Sequence, residues 1–233
     1  MPSNHELATV ARRDLFRIAV AGGATLGLGL ASGLGAPRHA RAQTAITPDE
    51  ALKALMDGNA RFAAGRLTSF QDDLTLLAQK TAEKQEPFAA VLSCADSRLP
   101  VEIVFDQTIG HVFVTRVAGN VATPEIIASL EYGVAVLGTR LIMVLGHGAC
   151  GAVTAAIAGK AVPGQISALY APLRPAVDQA GPDPEATIRA NARIQARILR
   201  SASPVIADMV AQGKVKVVAA HYELASGVVS LLG

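Results

Sequence analysis

The chain has 233 residues, of which 51% are hydrophobic and 17% charged. That is enough for one domain with a sizeable core, and an apolar content this high with no long charge run excludes a disordered chain. A formal charge of +2 is too small for a nucleic-acid-binding surface, so nucleic acid is excluded as a partner.

Residues 11–17 read Ala-Arg-Arg-Asp-Leu-Phe-Arg, an apolar glycine-rich run follows from Ile18 to Ala36, and Ala40 and Ala42 stand in an A-x-A arrangement. A basic head, an apolar middle and small residues before a cleavage point describe an export signal over residues 1–42. The Arg12-Arg13 pair with Leu15-Phe16-Arg17 resembles a twin-arginine signal, an address read by the twin-arginine export machinery. Five glycines, from Gly22 to Gly33, argue against an amphipathic helix. The run is also only weakly hydrophobic for a retained span. The expectation is cleavage after Ala42, delivery to the periplasm and no stable membrane insertion afterwards. Removing five arginines and two acids leaves residues 43–233 with 16 basic and 17 acidic side chains, close to neutral.

Thr47-Pro48-Asp49-Glu50 is a capping box with proline at the first helical position. Leu52, Leu55, Met56, Asn59 and Phe62 continue it at helical spacing until Gly65. Phe88–Ser93 reads as a buried strand with Cys94 at its end, and His111–Val117 as a second strand. A helix is expected over Pro124–Leu137 behind Thr123, and a third strand over Leu141–Leu145. Gly146-His147-Gly148-Ala149 is expected as the turn after that strand, and Cys150–Ala158 as the next helix. Residues 160–184 carry Pro163, Pro172, Pro175, Pro182 and Pro184 and read as loop. Helices over Glu185–Arg200 and from Ser203-Pro204 to Gly213 precede a fourth strand at Val215–Ala220, and Val228–Leu232 offers a fifth. Strands alternating with helices predict an α/β domain with four parallel strands, a possible antiparallel edge strand and flanking helices. The N-terminal helix is expected to pack on a neighbouring subunit. Ligands in such sheets bind beyond the carboxyl ends of strands, which is where Cys94 and His147 fall.

Cys94 and Cys150 are the two cysteines of the chain. In an exported protein such a pair reads first as one disulfide, which would suit a non-catalytic binding protein. Two thiolates and one imidazole are equally a set that zinc accepts, and Cys₂His with an open fourth position is a catalytic arrangement. His147 and Cys150 are three residues apart across a turn into a helix, and a helix N-terminus favours a thiolate at Cys150. The neighbours Asp96 and Arg98 have no place in a plain disulfide.

Cys94-Ala95-Asp96-Ser97-Arg98 with His147-x-x-Cys150 resembles the signature of β-class carbonic anhydrases. Arg116-Val117-Ala118-Gly119-Asn120, Ser129-Leu130-Glu131-Tyr132, Gly146–Val153 and the segment with Tyr222-Glu223-Leu224 extend the resemblance over nearly all of residues 47–232. It implies a zinc lyase holding one Zn2+ per chain on Cys94, His147 and Cys150. The reaction it implies is reversible hydration of carbon dioxide to bicarbonate and a proton, by attack of zinc-bound hydroxide. It also implies that Asp96 orients that hydroxide while Arg98 holds Asp96 off the metal. Asp96 becomes a fourth ligand only in a closed form. Closed members carry a Trp beside a regulatory bicarbonate pocket; this chain has no Trp and Val91 at the matching place, so the open form is expected.

The same resemblance assigns the substrate pocket to Gln85, as a hydrogen-bond donor, to Phe113, Val117 and Tyr132, as apolar lining drawn partly from the partner subunit, and to the backbone of Gly151. Leu99 departs from the family pattern and is expected to add bulk beside Arg98. His111 and His221 read as surface or structural residues, either of which could relay protons. A homodimer or higher homo-oligomer is implied. A hydrolase of carbonyl sulfide or carbon disulfide on the same fold is the alternative activity.

Overall fold

The computed structural model describes residues 45–69 and 81–233; the expected export signal lies outside them. Five strands form one sheet: β1 (Ala89–Ser93), β2 (Val112–Arg116), β3 (Leu141–His147), β4 (Lys216–Tyr222) and β5 (Val229–Leu232). Their order is β2-β1-β3-β4-β5. The first four are parallel and β5 is antiparallel to β4. Around them lie α1 (Pro48–Ala63), α2 (Val101–Val104), α3 (Pro124–Ala135), α4 (Gly151–Ala158), α5 (Tyr170–Ala180), α6 (Pro184–Ala202) and α7 (Pro204–Ala211).

The alternation of side chains along a strand divides the core into two layers. Val91 of β1 and Leu141, Met143 and Leu145 of β3 face α1, α2, α4 and α5. Leu92 of β1 and Ile142 and Val144 of β3 face α3, α6 and α7. Every residue of β1 and β3 is buried, which is why these strands read as unbroken apolar runs.

The capping box forms as expected: the Glu50 amide donates to Thr47 Oγ1, and the Thr47 amide donates to the Glu50 carboxylate. The buried residues of α1 (Ala51, Leu55, Gly58 and Asn59) pack within the chain. Gly58 is needed for the close approach, since a Cβ there would overlap the Phe105 carbonyl oxygen at 1.8 Å. Buried Asn59 donates to the carbonyls of Val104 (3.1 Å) and Gly227 (2.9 Å) and accepts from the Val229 amide (2.8 Å). The helix is thereby tied to the end of α2 and to the turn into β5.

Two local expectations are corrected. Residues 160–184 are not a plain loop: a 3₁₀ turn at Ile166–Leu169 leads into α5. Pro172 sits in the first turn, where its missing N–H costs nothing. Pro175 is tolerated because Leu173 and Ala176 are fully buried, so packing outweighs local propensity. Gly146 and His147 are not in a turn either; both extend β3, in register with His221 and Tyr222 of β4.

The strand order reverses between β1 and β3, since the chain passes from β1 to β2 on one side and then to β3 on the other. In an open α/β sheet the crevice at this switch point is where a ligand binds. Cys94 follows β1 directly, His147 ends β3, and Cys150 caps α4.

Candidate metal centre

The ligand atoms of Cys94, His147 and Cys150 all lie within 4.8 Å of one another, and all three side chains are buried. Among the described residues they are the one group of three or more such side chains able to share an ion. Both thiols are free, so the disulfide reading is not met. The imidazole is set by its Nδ1, which donates to the Gly148 carbonyl at 2.9 Å. That leaves Nε2 as the acceptor, buried and without a hydrogen-bond partner. A buried nitrogen lone pair facing two thiols is a defect in a bare protein and a ligand set in a zinc protein. Ligands about 2.0–2.3 Å from one tetrahedral ion lie close to the spacing observed, so the donor set fits zinc.

The two thiols hydrogen-bond to each other. The hydrogen bond from Cys150, acting against burial, drives Cys94 down to about 4, with the Gly119 amide also donating to its Sγ at 3.3 Å. The same hydrogen bond and burial push Cys150 well above the usual thiol range. The amides of Ala152 and Val153 at the start of α4 act in the opposite sense at Cys150 but are outweighed. Burial acts to lower His147, and the Cys94 thiolate more than offsets it, so the imidazole is raised.

Asp96 stands outside the cluster, with both carboxylate oxygens bonded to Arg98. Arg98 grips it with Nε on Oδ1 (2.9 Å) and Nη2 on Oδ2 (2.8 Å), and the Arg98 amide adds a third bond at 2.9 Å. This bidentate pair holds the Asp96 carboxyl well below the usual carboxylate range. Arg116 is a residue whose role sequence reading missed: it donates to the carbonyls of Cys94 (3.0 Å) and Asp96 (2.5 Å), fixing the loop that carries both. Its signal was its place in the Arg116–Asn120 block at the end of β2. The turn after it needs Gly119 at φ 77° and brings the Gly119 amide to Cys94.

The expected substrate wall is less assembled. Gly151 is exposed beside Cys150 with open space where a side chain would stand. Val117 joins β2 to the cluster end, its amide bonded to the Ser93 carbonyl. Phe113 and Tyr132 form an aromatic pair, ring centres 6.4 Å apart, on edge strand β2 and α3, and Tyr132 is 48% exposed. Gln85 is exposed ahead of the N-terminal end of β1, whereas Cys94 follows its other end; the strand separates them by ~16 Å. One chain does not bring Gln85 to its own cysteines. Leu99 is fully buried in the core, so its bulk is spent there rather than beside Arg98. His111 is exposed, while His221 is buried in β4 with Nε2 at 3.1 Å from Glu185.

A parallel sheet with a buried Cys₂His cluster at its switch point defines a zinc enzyme of the α/β class. A family model described as carbonic anhydrase matches residues 89–229, and the chain belongs to that family. It is 36% identical over 188 residues to carbonic anhydrase 2 of Mycobacterium tuberculosis, covering 77% of this chain and 90% of the relative. A carbonic anhydrase of Mycolicibacterium smegmatis is 47% identical over 110 residues, 47% of this chain and 53% of that relative. Among solved structures, a tetrameric β-carbonic anhydrase of Sordaria macrospora superposes with a TM-score of 0.63 at 25% identity, over 79% of this chain and 98% of the other. The family is the β class, and the triad is typical of its zinc site.

Proposed function

We propose that this protein hydrates carbon dioxide reversibly to bicarbonate and a proton at an open zinc site. The observation that carries the reading is the buried Cys94–His147–Cys150 cluster with Asp96 held outside it by Arg98. Cys94, His147 and Cys150 would hold the ion, a Lewis acid that lowers the pKa of a water to about 7 and so supplies a nucleophile at neutral pH. Asp96, kept ionised by Arg98, accepts a hydrogen bond from the nucleophile and fixes its orientation. Arg98 keeps both carboxylate oxygens occupied, which disfavours Asp96 as a fourth ligand. Gly151 leaves room beside Cys150 for a small linear substrate.

The remaining wall is drawn from a homo-oligomer, at least a dimer. Edge strand β2 and the half-exposed Tyr132 supply an apolar face, and Gln85 reaches the site of a partner subunit. Residues 1–42 export the protein through the twin-arginine route to the periplasm, supported by Arg12-Arg13, the apolar run and Ala40-x-Ala42. No helix among the described residues is long and apolar enough to cross a membrane.

The test is CO₂ hydration by the purified protein with zinc counted per chain and carbonyl sulfide assayed in parallel. The expected result is about one zinc per chain and CO₂ hydration dominant. Zinc-loaded protein inert toward CO₂ at several pH values would overturn the reading. For export, Arg12→Lys/Arg13→Lys is expected to retain the precursor in the cytoplasm; unchanged release of a chain starting near Gln43 would refute the twin-arginine route.

A further inference from the structure

Between the two ligands His147 and Cys150 the backbone takes an unusual course. Ala149 has φ 52°, in the left-handed region that a residue with a Cβ adopts only at a cost. It is one of three non-glycine residues among those described with positive φ. The peptide groups at this residue are pinned from opposite sides. The Ala149 amide donates to Glu185 Oε1 at 3.2 Å, and its carbonyl accepts from Arg98 Nη2 at 3.3 Å. On either side the Gly148 amide donates to the Tyr222 carbonyl, and Thr154 donates to the Cys150 carbonyl.

Glu185 is well suited to hold a strained peptide. It is the second residue of α6, whose N-cap Asp183 accepts from the Glu185 amide at 3.1 Å. The carboxylate therefore springs from a rigid element. Its second oxygen, Oε2, lies 3.1 Å from Nε2 of buried His221. The same Glu185 Oε1 would touch a Cβ at Gly148 at 3.4 Å, so the carboxylate lies directly over the ligand turn.

We infer that Glu185 is a positioning residue of the metal centre: by accepting from the Ala149 amide it holds the His147-x-x-Cys150 turn in the left-handed conformation that aims both ligands at one ion. The inference rests on the zinc reading of the cluster. Arg98 secures the other face of the same residue, so the group that orients Asp96 and the group that orients the ligand turn meet at Ala149.

The test measures the rate at which zinc passes from intact, zinc-loaded protein to a chelator in excess. The variants are Glu185→Ala, Glu185→Gln, Ala149→Gly and the double variant Glu185→Ala/Ala149→Gly. Glu185 is half exposed and its helix keeps its Asp183 cap, so truncation leaves a folded chain, checked by the melting temperature of each metal-free form. Loss of a group that orients a ligand costs 10–100-fold in metal affinity, so Glu185→Ala should release zinc roughly tenfold faster or more. Glu185→Gln keeps an acceptor oxygen for the amide and should stay within about threefold of wild type. In the Ala149→Gly background the turn adopts its conformation without strain, so removal of Glu185 should matter several-fold less. Zinc release from Glu185→Ala at the wild-type rate, or an equal effect in the Ala149→Gly background, would overturn the inference. So would a glutamine no better than alanine. Failure of the zinc reading itself is separable, because wild-type protein would then hold no zinc to release.

Discussion

The two walls of the site are built on different principles. The metal wall is complete within one chain: Cys94, His147 and Cys150 are buried, and their loops are pinned by Arg98, Arg116, Glu185 and the Gly119 and Gly148 amides. The proposed substrate wall is open. Tyr132 is half exposed, β2 is the edge strand of the sheet, and Gln85 stands at the wrong end of β1 for its own chain. A metal demands ligands fixed to a few tenths of an ångström, which rigid strand ends in one core provide. A small apolar substrate needs only a slot, and two subunits can share its lining.

The sharpest break in that comparison comes from the metal wall. Cys94→Ser should reduce zinc from about one per chain to a small fraction and CO₂ hydration to background, with the oligomer intact. Metal analysis and size-exclusion chromatography check this together. A Cys94→Ser protein that keeps zinc would mean the cluster is not the ligand set.

The asymmetry also decided what could be read from the sequence. Cys94, Asp96, Arg98, His147 and Cys150 announce themselves because a few residue types at fixed spacing carry the chemistry. Strands β1 and β3 were visible because unbroken apolar runs fit a sheet covered on both faces. Helix α5 was hidden behind Pro172, which fits its first turn, and Pro175, whose local cost is overridden by buried Leu173. Glu185 was hidden for another reason. It lies 36 residues from Ala149, and nothing in a helix-opening Pro-Glu pair says which distant amide the carboxylate will meet. Long-range pinning of backbone strain leaves no local sequence pattern.

The substrate wall can be sharpened by mixing subunits. Gln85→Ala should lower kcat/KM roughly fivefold to tenfold, the worth of about one hydrogen bond, while zinc content is unchanged. If Gln85 serves the partner's site, hetero-oligomers of Gln85→Ala and Cys94→Ser subunits regain wild-type kcat/KM at the zinc-loaded centres, because the zinc-less subunit still supplies its glutamine. If Gln85 serves its own chain, mixing restores nothing and the shared wall is refuted.

The smallest effect on activity is expected at Asp106, which bonds to none of the site residues named above, and it separates fold stability from site geometry. The side chain is wholly buried, and Oδ2 accepts from Arg61 Nε at 2.5 Å. The Thr68 and Ser69 amides donate to Oδ1, both at 2.9 Å, and the Thr68 hydroxyl to Oδ2. Burial alone would raise this carboxyl; the Ser69 amide, Arg61 and Thr68 outweigh it and hold it well below the usual carboxylate range. A group with a depressed folded pKa contributes stability that is present above its unfolded value, about 3.9 for Asp. That contribution is lost as pH falls through the folded value. Asp106→Ala should therefore cost about 3 kcal/mol at neutral pH, since it strands Arg61 and the Thr68 and Ser69 amides, yet leave kcat/KM within about twofold. Urea unfolding at neutral pH and again in acid should show the wild-type advantage over Asp106→Asn shrinking as the pH drops below about 4. An advantage that stays constant across that range would mean the carboxylate's charge contributes nothing to the clasp between α1 and the end of α2.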